Sequence, residues 1–101
     1  MTQDVQQVVS ISHTATSDTQ FSLVQTDLWL TECNVEALTN NAKYGDFANQ
    51  ESTLNTGNVL FYRNINLADL FFKNTTPGSN TKIVMTGLRM TQKQKEDIGV
   101  A

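Results

Sequence analysis

The sequence contains very few of the residues that build metal sites, disulfides and catalytic centres. Cys33 is the single cysteine and His13 the single histidine, so an internal disulfide has no second thiol and a zinc site has too few ligands. A Ser–His–Asp set could be drawn through His13 with Asp18 or Asp27, but almost any chain of this length permits that. The five glycines are dispersed and form no phosphate-binding loop. We therefore predict no enzyme activity, no metal, no cofactor, and a buried Cys33.

Charged side chains are also scarce, at 17% of the chain, and the positive ones are scattered. The net charge is -3, and the densest basic group is Lys93 and Lys95, which stand beside Glu96 and Asp97. Proteins that bind a phosphate backbone present a continuous basic patch or stripe, which this sequence does not have. The sequence therefore predicts no nucleic-acid partner.

Long apolar segments are missing as well. No window approaches the roughly 18 apolar residues of a membrane span, and Met1–Asp4 lacks the basic start and apolar stretch of a signal peptide. We expect the chain to be made and folded in a cytoplasm, to have no membrane partner, and to reach any outside location by assembly.

The residues that are abundant favour β-structure. Thr, Asn, Gln and Ser supply 38 of the 101 residues; Thr suits a pleated, half-buried surface, and Asn and Ser suit turns. Alternation of apolar and polar residues predicts strands in the segments 5–15, 21–26, 28–39, 59–63, 67–73 and 81–90. No segment supplies crossover helices, so we predict an all-β domain, a β-sandwich or jelly roll of about six to eight mostly antiparallel strands. The domain is assigned to residues 1–90 and a C-terminal tail or arm to residues 91–101.

Residues 28–39 form the longest regular segment. A strand is favoured over the helix that Glu32–Leu38 could form, because Thr, Cys, Asn and Val dilute the helix propensity. Trp29 is predicted to face inward, while Glu32 and Glu36 share the other face and line a solvated or subunit-facing surface. The alternation as a whole predicts a core of Val9, Ile11, Phe21, Leu23, Trp29, Val35, Leu60, Leu70, Phe72, Ile83 and Met85.

Three connections have a specific expectation. Pro77–Gly78 fits the centre of a type II turn, which predicts that Phe71–Met85 is a hairpin. Residues 47–58 form a long polar loop, with a short edge strand or a calcium site as alternatives. Thr91 with Gln94 three residues later matches a capping box, which predicts a helical turn at the start of the tail.

The aromatic residues of two strands occur in adjacent pairs. Neighbouring positions of a strand face opposite sides, so one member of each pair can fill the core while the other points outward. An outward aromatic is either covered by the tail or pressed against another chain, and we favour the second. The predicted subunit contacts are one member of each aromatic pair, the N-terminal strand and the tail, with Phe61, Tyr62, Phe71, Phe72, Ile98 and Val100 as candidates.

The stretch from Asn40 to Leu88, about half of the chain, resembles a pattern found in small virion proteins of tailed bacteriophages. The matching segments are Tyr-Gly-Asp at 44–46, a glycine at 57 before an apolar strand, N-L-x-D-L-F-F-K-N-T-T-P-G at 66–78 and K-I-V-M-T-G at 82–87. Residues 55–58 and the charged tail depart from that pattern. The resemblance implies a jelly-roll or β-sandwich fold and a capsid cement or decoration role.

That role predicts a structural protein on the capsid surface of a virion, synthesised in the host cytoplasm. Its partners would be the major capsid protein and further copies of itself, with a homotrimer favoured. Two alternatives remain open: a head–tail connector or tail-associated component, and a carbohydrate- or ligand-binding β-sandwich. The last would need an exposed Trp or Tyr beside amides, and Trp29 is the single Trp.

Overall fold

Two antiparallel sheets make up the chain in the computed structural model, which describes residues 5–16, 19–75 and 80–100. The strands are β1 (Val8–Ala15), β2 (Phe21–Ser22), β3 (Trp29–Ala37), β4 (Ala42–Gly45), β5 (Ser52–Leu54), β6 (Val59–Asn66), β7 (Phe71–Asn74) and β8 (Thr81–Arg89). A 3-10 turn, Leu67–Asp69, joins β6 to β7, and the helix α1, Gln92–Asp97, follows β8.

The strand order identifies the architecture. Sheet A has the order β1-β8-β3-β6, and sheet B has the order β2-β7-β4-β5. The pairs β1/β8, β2/β7, β3/β6 and β4/β5 are therefore nested within one another along the chain, which is the strand arrangement of a jelly roll. The predicted all-β sandwich is confirmed.

The nested order also explains why the predicted Phe71–Met85 hairpin is wrong. β7 belongs to sheet B and β8 to sheet A, so the segment between them passes from one sheet to the other. In this topology β4 and β5 form the one pair of consecutive strands within a sheet. The Pro77–Gly78 turn lies outside the described residues. The edge strand proposed as an alternative for the 47–58 loop is present as β5.

Residues 29–37 form a strand, as predicted, but a β-bulge shifts its phase. The pairing of β3 with β8 slips by one residue between Leu30 and Glu32, which leaves Thr31 as the extra residue. Leu30 is consequently fully buried. Trp29 is partly exposed and lies outside the core cluster, so its predicted inward position is wrong.

The core lies between the two sheets. Five predicted core residues are buried, namely Val35, Leu70, Phe72, Ile83 and Met85. Five more are partly buried and pack against them, namely Val9, Ile11, Phe21, Leu23 and Leu60. The buried Leu30, Ala42, Leu54 and Leu67 were not predicted.

Asn66, within the segment that resembles the virion pattern, has a structural role at the end of β6. Its Oδ1 atom accepts hydrogen bonds from the backbone N–H groups of Leu28 (3.0 Å) and Ala68 (3.2 Å). Its Nδ2 atom donates to Oδ1 of Asp27 at 3.0 Å. The side chain therefore caps the 3-10 turn and fixes the loop that leads into β3.

The tail begins with the predicted capping box. Thr91 Oγ1 accepts from the backbone N–H of Gln94 (3.2 Å), and Gln94 Oε1 accepts from the backbone N–H of Thr91 (2.8 Å). The helix that follows has six residues and buries none of them. Met90, immediately before the cap, is buried and donates its N–H to the Trp29 carbonyl oxygen. The tail is thus anchored at its start, and the helix that follows is partly covered at Gln94 and Lys95 and exposed elsewhere.

Candidate interaction surfaces

The outer face of sheet A combines apolar and polar side chains in three cross-strand rows. Each row takes one outward residue from β1, β8, β3 and β6 in turn. The rows are Val8–Leu88–Glu32–Arg63, Ser10–Thr86–Asn34–Phe61 and Ser12–Val84–Glu36–Val59. Val8 is 72% exposed, Val59 is 53% exposed and Phe61 is 51% exposed. These three side chains leave apolar surface exposed on this face, which makes the face a candidate for contact with another chain.

A depression of about 220 Å³ lies between the first two rows. Its apolar walls are Val8, Leu88 and Phe61, and Glu32 also lines it. Gly87 lies beneath it and allows β8 to approach β3 closely, since a Cβ atom there would stand 2.7 Å from the Glu32 carbonyl oxygen. The depression can accept an apolar side chain of a partner.

Glu32 makes no ion pair within the part of the chain that the structure describes. Arg63 stands directly opposite on β6, but its guanidinium carbon lies over the Phe61 ring, 5.5 Å from the ring centroid. The cation therefore contacts the aromatic face. The carboxylate at the depression remains able to bind a cation from outside.

On the outer face of sheet B, the outward aromatic residue is covered by a loop of the same chain. Phe71 points outward from β7, and the Phe47 ring packs edge-on against it with centroids 5.3 Å apart. Phe47 belongs to the loop between β4 and β5, which folds back so closely that a Cβ atom on Gly45 would lie 2.0 Å from the Asn49 carbonyl oxygen. The chain's own loop thus covers Phe71 and leaves Phe47 67% exposed.

The loop is held by its own side chains. Asp46 Oδ1 accepts hydrogen bonds from the backbone N–H groups of Ala48 (2.9 Å) and Asn49 (2.8 Å). The buried Gln50 donates to Oε1 of Gln20 and to the Phe47 carbonyl oxygen. The Asp46 carboxylate accepts the hydrogen bonds of the turn, and the described residues contain no cluster of three His, Cys, Asp or Glu side chains that could hold a metal ion.

The structure places the predicted contact residues in three groups. Phe61 is exposed on sheet A, and Ile98 and Val100 are exposed on the tail. Phe71 is covered by the loop, while Tyr62 and Phe72 face inward with the core. The alternation within each aromatic pair is as predicted, and the role of these residues in subunit contacts stays a prediction.

Cys33 and Tyr62 face each other across sheet A on its inner side. Burial raises the pKa of the Cys33 thiol above 9.0, and a hydrogen bond with the Tyr62 backbone opposes part of that rise. Burial also raises the pKa of Tyr62, with smaller contributions from Tyr44 and Cys33. The predicted burial of Cys33 is confirmed, and its raised pKa disfavours the reactive thiolate.

His13 lies on the edge strand β1 and is exposed, with its ring 4.5 Å from the Phe21 ring. None of the described helices is long and apolar enough to cross a membrane. Comparison of the chain with protein families, curated proteins and solved structures finds no match.

Proposed function

We propose that the chain is a structural virion protein of a tailed bacteriophage, a cement protein that binds the capsid exterior and bridges subunits of the major capsid protein. The observation that carries the proposal is the outer face of sheet A. It exposes apolar side chains among polar ones on a continuously paired sheet, which is the composition of a surface that packs against protein.

The far end of this face is the part that we assign to the capsid. Its third row contains Val59 and Val84, and the exposed Leu38 follows β3 at the same end. Glu36 is the charged residue of this row, and its other outward residues are uncharged, so the contact would be largely apolar and hydrogen-bonded. A homotrimer would present three copies of this modest patch, and the linked contacts would act together through their high effective concentration.

The resemblance to small virion proteins supports the same role, and so does the jelly-roll order of the strands, since this fold also occurs in viral capsid domains. Fold alone does not assign function. A cement protein should recognise a site that spans neighbouring capsomers, so it should bind assembled capsids and ignore free subunits. Binding to the assembled state alone would also stabilise the particle.

The test is co-sedimentation of the purified chain with capsids of the phage that encodes it, and separately with unassembled capsid subunits, at low and high salt. We expect binding to assembled capsids that survives high salt, because the contact is not mainly ionic. Val59→Asp should abolish it. Phe47→Asp, which changes an even more exposed apolar residue in the loop over the other sheet, should not.

Equal binding to free subunits would overturn the proposal. So would attachment to the portal or tail without attachment to the capsid, which would favour the connector role.

A further inference from the structure

We propose that the tail of one copy docks on sheet A of a second copy, with Ile98 in the depression and Lys95 beside Glu32. This contact joins copies of the chain to one another and does not depend on capsid binding. It involves the first two rows of the outer face, and it leaves the row that contains Val59 free.

The depression has a definite chemical requirement. Val8, Leu88 and Phe61 offer it apolar walls, and Glu32 adds a carboxylate without an ion-pair partner in the described structure. A suitable occupant therefore carries an apolar group and a cation a few ångströms apart. Such an occupant removes exposed apolar surface from water and neutralises the carboxylate.

The tail supplies that pair of groups. Lys95 and Ile98 are three residues apart at the end of α1, which places them on the same side of the helix, about 5–6 Å apart at Cβ. Ile98 is exposed, and α1 buries none of its residues against its own domain. The helix therefore begins at an ordered cap and presents an exposed Ile98 beside a partly exposed Lys95.

The position of the tail indicates a neighbouring copy as the acceptor. Leu88 lines the depression, and the tail leaves the domain at Met90, at the same end of sheet A. Its own apolar residues are exposed, so the tail does not fill the depression of its own chain. A tail-to-depression contact is heterologous, and a closed ring of copies satisfies every tail.

The first experiment measures the mass of the purified 101-residue chain by sedimentation velocity over a range of concentrations. We expect a concentration-dependent oligomer. Deletion of residues 91–101 should give a monomer whose melting temperature is nearly unchanged, because α1 contributes no fully buried residue to the domain. Ile98→Asp should weaken association about tenfold or more, since it places a charge where an apolar side chain is buried.

The second experiment tests the pairing itself. Glu32→Lys and Lys95→Glu should each weaken association by about threefold to tenfold, and the double variant should restore it because the pair is reversed. Mixing the two single variants should also restore association, since each tail then meets an opposite charge on the other variant. Lys93→Glu, the same charge change on the other side of the helix, should change association by about twofold or less.

In a ring with an even number of copies the mixture can satisfy every contact, whereas a trimer leaves one contact in three unmatched. The extent of rescue therefore also reports the ring size. A wild-type chain that stays monomeric at high concentration would overturn the inference, as would an oligomer that is indifferent to Ile98→Asp or shows no charge rescue. If Val59→Asp abolished capsid binding but kept the oligomer intact, the tail contact would hold independently of the capsid contact.

Discussion

The two outer faces of the sandwich each present an aromatic residue from an adjacent aromatic pair, and the chain covers one and leaves the other bare. On sheet B, Phe71 is covered by Phe47 from the β4–β5 loop. On sheet A, Phe61 has the Arg63 guanidinium over its ring and is still 51% exposed. A loop long enough to fold back can satisfy an outward aromatic within the domain, so the bare one is the stronger candidate for a contact with another chain.

Substitution of the inward residue of an aromatic pair should cause the largest loss of stability. Phe72 is fully buried against Phe21, and Phe72→Ala should lower the free energy of unfolding by about 3–5 kcal/mol through lost burial and the cavity left behind. Phe61→Ala, the matched change at an outward position, should cost less than about 1 kcal/mol. Urea titration of both variants measures this, and similar losses would contradict the assignment of the two faces.

A substitution at Gly87, which lies beneath the depression of sheet A, should cause the next largest loss of stability. In Gly87→Ala the new Cβ would stand 2.7 Å from the Glu32 carbonyl oxygen and 2.8 Å from Cys33 Cβ, closer than such atoms pack. We expect a loss of about 1–3 kcal/mol from the forced shift of β8 against β3. Thr86→Ala, at the neighbouring outward position, is the control and should be nearly neutral. An equally stable Gly87→Ala variant would mean that the bulge at Thr31 leaves more room than the structure indicates.

The cover on sheet B can be measured as a coupling between two residues. Phe71→Ala and Phe47→Ala should each reduce stability modestly, and the double variant should lose less than the sum, with a coupling of about 0.5–1.5 kcal/mol for the edge-to-face pair. The same cycle for Phe61 and Phe47, which lie on opposite sheets, should be additive. Additivity in the first cycle would mean that the loop does not cover Phe71 in solution.

The smallest expected effect is a change of stability with pH. The folded state raises the pKa of Cys33, so the folded chain keeps the thiol proton at a pH where the unfolded chain has begun to lose it. Stability from this group is complete below the unperturbed value of 9.0 and is lost as pH rises through and above it. Unfolding measured on either side of that pH should show a decline, and Cys33→Ala should make the decline shallower. The raised pKa of Tyr62 adds to the decline at still higher pH.

The sequence pattern predicted the faces of strands better than their partners. Alternation predicted that Phe72 faces the core and that one member of each aromatic pair points outward, and the capping box predicted the helical turn after Thr91, because both signals are local. The bulge at Thr31 could not be predicted from the sequence, because it is defined by the register against β8, nearly sixty residues away. Because of this bulge, Leu30 and not Trp29 lies in the core. The hairpin assignment failed for a related reason, because a turn between two strands does not reveal whether they share a sheet.

The candidate site was predictable in part. Phe61 and Ile98 were among the six predicted contact residues, because apolar residues at outward or terminal positions have little to contact within the domain, but the pattern did not decide between Phe61 and Tyr62. The depression depends on Val8, Leu88 and Glu32, which come from three separate strands and meet only through the pairings of β8 with β1 and β3. The spacing of these three residues along the sequence does not predict that they lie together in the fold.

The central place of β8 in sheet A also governs the order in which the molecule can be built during translation. β1 pairs with β8 over eight positions, from Val8 with Leu88 to Ala15 with Thr81, and β3 pairs with the other edge of β8. While the ribosome is still making the segments before β8, β1 has no partner and β3 has one open edge. Such edges invite pairing with other chains. Sheet A must therefore close late, around its last strand, and the long sequence separation of these contacts should make folding slow for a domain of this size.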